Sequence, residues 1–172
     1  MNYFELFQLP AQFELDSHQL AETYRQLQQQ FHPDRVASAP ENERLLAMQQ
    51  ASNINAAYQT LKDPLARAEY LLMLQGLDIR GEQQTLQDPE FLMQQLSWRE
   101  ALEALRDAVD PEAQLPVFEQ RISSEHNRLM LQLQQALAAA ELPLAADRIR
   151  KLKFVRKLRD ELSRLEDSLM DL

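Results

Sequence analysis

Along residues 17–31 the apolar side chains Leu20, Tyr24, Leu27 and Phe31 recur at steps of four, three and four. Along 43–62 the less polar positions Ala47, Ala51, Ile54, Tyr58 and Leu61 keep the same rhythm. A period near 3.6 predicts two helices, each with one buried face. Between them lies a polar stretch, 36–42, preceded by His32-Pro33-Asp34. Pro33 drives His32 out of the α region, which ends the first helix at about Phe31 and forces a loop. His32 and Asp34 are therefore expected at the solvent-facing tip of an antiparallel helix pair. A short polar loop on a small rigid scaffold is where function concentrates.

Further along, Pro64 opens a short helix over 65–74, with Gly76 placed to cap it. Tyr70, Leu71, Leu72 and Leu74 make this helix more apolar than a small unit needs for itself, so it is expected to pack against the second half of the chain. Residues 76–87 hold both glycines and no sustained period, which reads as a linker. Asp88-Pro89 and Asp110-Pro111 each pair an N-cap with proline at the first helical position. They predict helices over 89–108 and 111–140, the latter with an apolar stripe of Leu115, Phe118, Ile122, Leu129, Leu133, Ala136 and Ala140. Pro143 separates a last helix, 144–170, striped with Val155, Leu158, Leu162, Leu165 and Leu169. Three helices with short connections imply an antiparallel bundle. The expected organisation is all-α: 1–75, a linker at 76–87, and a three-helix bundle over 88–172.

The helix over 89–108 carries two apolar sets. At 100° per residue Phe91, Trp98, Leu102, Leu105 and Val109 share one face. Leu92 and Leu96 fall roughly 110–150° from it, Met93 further still, with Arg99, Glu100 and Glu103 beside them. They cannot all enter one bundle interior. Three large apolar groups within five residues make a patch for a partner, or one that docks within the chain.

Composition narrows the chemistry. Two glycines in 172 residues, with 45% apolar content, suit a helical protein with a core. No apolar run reaches membrane-spanning length, and the first motif begins at once, so a cytoplasmic location is expected. The absence of cysteine excludes disulfides, thiolate nucleophiles and cysteine ligation of a cluster. His18, His32 and His126 form no ligand spacing, so no metal or cofactor is expected; His126 falls on the apolar stripe and His18 in a first turn. A net charge of −9 argues against a general nucleic-acid binder. Seven basic residues and no acid lie between Arg148 and Arg159, either a face for a protein partner or a solvated side. No glycine-rich phosphate loop, paired-histidine zinc motif or nucleophile elbow is present. An exposed His32–Asp34 pair outside a pocket offers neither pKa tuning nor substrate positioning. Binding, not catalysis, is the expected activity.

Three motifs together resemble the J domain, with which co-chaperones stimulate ATP hydrolysis by DnaK-type chaperones: the opening 1–10 (MNYFELFQLP), Phe31-His32-Pro33-Asp34-Arg35, and 55–61 (NAAYQTL) followed by Asp63-Pro64. Residues 67–72 (RAEYLL), Phe91-Leu92-Met93 and 150–154 (RKLKF) are similar to the HscB group, J-proteins of iron–sulfur cluster assembly. The likeness covers nearly the whole chain, and it implies a bacterial protein with a J domain and bundle in an L shape. It also implies a monomeric co-chaperone that binds an HscA-type chaperone through His32, Pro33 and Asp34, with Arg25 and Arg35 beside them. By the same resemblance, Leu92, Met93, Leu96 and Phe154, with Arg99 and Glu100 at the rim, bind the cluster scaffold protein IscU. Two departures stand out. Ser97-Trp98 replaces an acidic and an aliphatic residue, and the usually basic second helix has only Arg25 against Glu22. Eukaryotic relatives carry an additional cysteine-rich metal site, which this sequence lacks. A general J-protein feeding unfolded clients to DnaK and a helical adaptor with a vestigial loop are the alternatives.

Overall fold

The computed structural model describes residues 1–81 and 88–171, and among them every regular element is helical. The chain divides into two compact units between Arg80 and Gly81.

In the first unit, α1 (Tyr3–Leu6) begins with a capping box in which Asn2 and Glu5 satisfy each other's backbone N–H groups. Asp16 caps α2 (Ser17–Gln30) through the N–H groups of His18 and Gln19. After a 3-10 turn (Pro33–Val36) comes α3 (Glu41–Lys62), two residues longer at its start than its apolar spacing indicates. Leu20, Ile54, Ala57 and Leu61 are buried where α2 meets α3, while Tyr24, Leu27 and Phe31 stay half-buried. Asp63 caps α4 (Pro64–Leu74), with Pro64 at the position where a missing N–H costs nothing. Gly76 (φ +97°) then ends α4, its N–H donating to Met73 O and that of Leu77 to Leu72 O, a six-residue closure that needs a left-handed residue.

Tyr70 is used inside this unit. Its ring stacks on Tyr3 at 4.6 Å and its hydroxyl accepts the Tyr3 N–H at 2.9 Å. Ile79 is buried as well, so ordered structure continues past residue 75 to Arg80. Of the 76–87 linker, 82–87 lie outside the described residues.

The second unit holds α5 (Pro89–Arg106), α6 (Pro111–Ala138) and α7 (Leu142–Met170), with Asp88 and Asp110 capping the first two. Arg148 meets Gln132 and Arg159 meets Ser123, so α6 and α7 run antiparallel. Lys151 meets Asp88 and Arg99 meets Glu161, so α5 runs parallel to α7. Leu129, Leu133, Ile149, Val155 and Leu158 are wholly buried and form the centre of the bundle.

Three expectations change here. Val109 is fully exposed, because α5 stops at Arg106 and its inward stripe ends at Leu105. Ala140 lies beyond α6 in the left-handed region (φ +56°). Pro143 sits in the first turn of α7, where proline is tolerated, and does not separate the helix from what precedes it.

Candidate functional site

Two surfaces carry the candidate residues, one on each unit. On the first, Phe31 closes α2 by donating its N–H to Leu27 O. His32 is extended (φ −66°, ψ 133°), as a residue before proline must be. Pro33 opens the 3-10 turn, the Arg35 N–H donates to His32 O at 3.0 Å, and the Asp34 N–H donates to His32 Nδ1 at 3.2 Å. The imidazole thus caps the turn that follows it.

His32 Nδ1 also lies 3.5 Å from the Asp34 carboxylate, a longer contact than the cap. The Asp34 side chain is 91% exposed. Arg25, Gln28, His32, Pro33, Arg35 and Asn55 line an open groove beside it. Four of the five nominated residues, Arg25, His32, Pro33 and Arg35, border one groove, and Asp34 projects from its rim.

On the second unit α5 separates its two apolar sets. Phe91, Trp98, Leu102 and Leu105 are buried, whereas Leu92, Met93 and Leu96 are 38%, 70% and 62% exposed. Leu92, Leu96 and Arg99 lie along one line of the helix at steps of four and three. Met93 and the exposed Glu100 form a second line about 100° round. Phe154 enters from α7, half-buried, its ring edge-on to Phe91 at 5.7 Å and its face beneath the Arg99 guanidinium at 5.6 Å. The structure thus joins Phe154 to the α5 surface through Arg99.

Arg99 forms an ion pair with Glu161 of α7. Hydrogen bonding to Arg99 is the main reason the Glu161 carboxyl titrates below the usual range, and the same bond raises Arg99. On the other side of the aromatic pair, Lys151 lies over Phe91 and bonds Asp88 at 3.0 Å and Asp147 at 3.1 Å. Neither Glu161 nor Lys151 stands out in the helical pattern. The available signal is spacing: Phe154 and Glu161, seven apart, share one face of α7.

Of the basic segment of α7, Arg148 pairs with Asp147 and Gln132, Lys151 with Asp88 and Asp147, and Arg159 with Ser123. For these three the bundle itself supplies the partners. His126 is half-buried, and burial ahead of nearby Arg159 lowers its pKa. His18 is exposed. Among the described residues no three His, Cys, Asp or Glu side chains gather as a metal site, and no helix is long and apolar enough to cross a membrane.

A family model described as the DnaJ domain matches residues 2–70, and one described as the HSCB C-terminal oligomerisation domain matches 87–163. The co-chaperone protein HscB homologue of Aeromonas hydrophila is 63% identical over 171 residues, 99% of each chain. The solved chaperone HscB from Vibrio cholerae matches with a TM-score of 0.93 at 56% identity, covering 98% of this chain and 99% of that one. The human co-chaperone HscB matches at 0.87 with 23% identity, covering 96% and 82%, a likeness of fold alone.

Proposed function

The chain belongs to the HscB family of J-domain co-chaperones, and from that membership we propose that it delivers an IscU-type iron–sulfur scaffold protein to an HscA-type chaperone in the cytoplasm. In this reading the protein regulates a partner chaperone and is not itself an enzyme.

In this reading the first unit acts as the trigger. Pro33 and the His32 cap hold the loop in one shape, and Asp34 offers a charge-assisted contact to an arginine of the chaperone. Arg25 and Arg35 add positive charge beside the loop. Few cations lie on α2, so electrostatic steering is weak, which suits a dedicated partner better than a broad one. The second unit binds the scaffold through Leu92, Met93, Leu96 and Phe154, with Arg99 and Glu100 at the polar rim. Binding would raise local scaffold concentration at the chaperone, and ATP hydrolysis would lock the chaperone onto the scaffold and promote cluster transfer.

The observation that carries this reading is the exposure of Leu92, Met93 and Leu96 on a helix whose opposite face is fully buried. An apolar patch rimmed by charges marks a partner site. Passing a bacterial lysate over the immobilised protein tests it. Co-elution of scaffold and HscA-type chaperone is expected; recovery of a broad set of unfolded clients with DnaK, without scaffold, would favour a general J-protein instead.

A further inference from the structure

The apolar line on α5 ends in a cation that is held in place. Arg99 follows Leu92 and Leu96, its guanidinium lies over Phe154, and it is bonded to Glu161. An arginine side chain left free would sample many rotamers and lose that freedom on docking. Here two partners on α7, a ring and a carboxylate, hold it. Glu161 sits two turns beyond Phe154 on the same face, so a single guanidinium spans carboxylate and ring.

The comparison with Lys151 separates support from function. Lys151 lies over Phe91 and is also held by carboxylates, yet Phe91 is 5% exposed, so that arrangement lies against a ring inside the bundle. Phe154, in contrast, is half-buried and reaches the surface beside the exposed leucines.

We propose that Glu161 is a positioning residue of the scaffold-docking surface: by holding Arg99 against Phe154 it presets the polar end of the Leu92–Leu96 line before the partner arrives. This rests on the reading of that surface as the scaffold site. Arg99 is the residue that touches the partner, and Glu161 acts through it.

A double-mutant cycle on the full chain tests this, with titration calorimetry against purified IscU-type scaffold and thermal unfolding of the same samples. Glu161→Gln is expected to weaken binding about fivefold to tenfold, the scale of coupling between residues in contact, with cooperative thermal unfolding retained. In an Arg99→Ala background the same substitution should change affinity less than about twofold. Arg99→Lys, which keeps the charge but loses the planar fork, should also weaken binding. Unchanged affinity in Glu161→Gln would overturn the inference while leaving the scaffold site standing. An equal loss with and without Arg99 would overturn it too, by making Glu161 a direct contact. If the wild-type chain does not bind the scaffold, this inference and the functional reading fail together.

Discussion

The rings of Tyr24 and Tyr58 stack at a centroid distance of 3.9 Å and 19° between planes, joining α2 to α3. The Tyr24 hydroxyl donates to Asn55 at 2.7 Å and accepts from Gln28 at 2.8 Å, and both of those side chains line the groove beside the loop. The loop at His32–Asp34 thus stands beside an aromatic clamp tied directly to the groove wall. Tyr58→Leu should remove a stacking contribution of about 1 kcal/mol. Amide exchange in α2 and α3 is expected to quicken about fivefold for that loss, while amides of α5 to α7 keep their protection. Equal acceleration throughout the chain would show that the stack stabilises more than its own helix pair.

The loop substitutions should separate signalling from folding. Asp34→Asn and His32→Gln are both expected to abolish stimulation of the chaperone's ATPase. Asp34 is exposed and outside the core, so its replacement should alter stability by no more than about 0.5 kcal/mol. Steady-state ATP turnover and circular dichroism on the same preparations check both halves of this statement.

Cargo binding should be independent of that trigger. Leu92→Ala combined with Leu96→Ala is expected to cost at least about 2 kcal/mol of scaffold affinity if these are hot spots. The melting temperature should hold, because both side chains are exposed, and stimulation measured without scaffold should survive. Calorimetry would contradict this if affinity were unchanged while thermal stability fell sharply.

Acid should loosen the second unit from its edge inward. Hydrogen bonding to Arg99 lowers the Glu161 pKa, and bonding to Lys151 is the main cause of the same shift at Asp88. A depressed carboxyl pKa contributes stability that is complete above its unfolded value, about 4.3 for Glu and 3.9 for Asp. That stability is lost as pH falls through the lower folded value. Melting temperature should therefore decline below about pH 4.5, and Glu161→Gln should flatten part of the decline. An identical acid limb in that variant would show that the Arg99–Glu161 pair contributes nothing to folding.

The helices were largely legible in the sequence because their signals are local: capping aspartates at 88 and 110, prolines in first turns, and an apolar period of three and four. The division of α5 into a buried and an exposed apolar set was equally legible, since a helix cannot aim Phe91 and Leu92 in one direction. Val109 was misplaced because periodicity does not mark where a helix stops; Asp107 already ends α5. The 3-10 turn at Pro33–Val36 escaped notice because it is too short for a period and depends on the His32 ring as its cap. Glu161 and Lys151 escaped for a different reason. Their roles depend on contacts between helices distant in sequence, which no single-helix pattern encodes.

On the proposed function, one chain both triggers an HscA-type ATPase and brings it a scaffold. Steady-state ATP hydrolysis by that chaperone, titrated with this protein in the presence and absence of IscU-type scaffold, addresses it most directly. Turnover should rise with the protein alone and further with scaffold. Asp34→Asn should lose both effects, and the Leu92→Ala, Leu96→Ala variant only the second. A flat titration with the wild-type chain, or full stimulation by Asp34→Asn, would contradict the account.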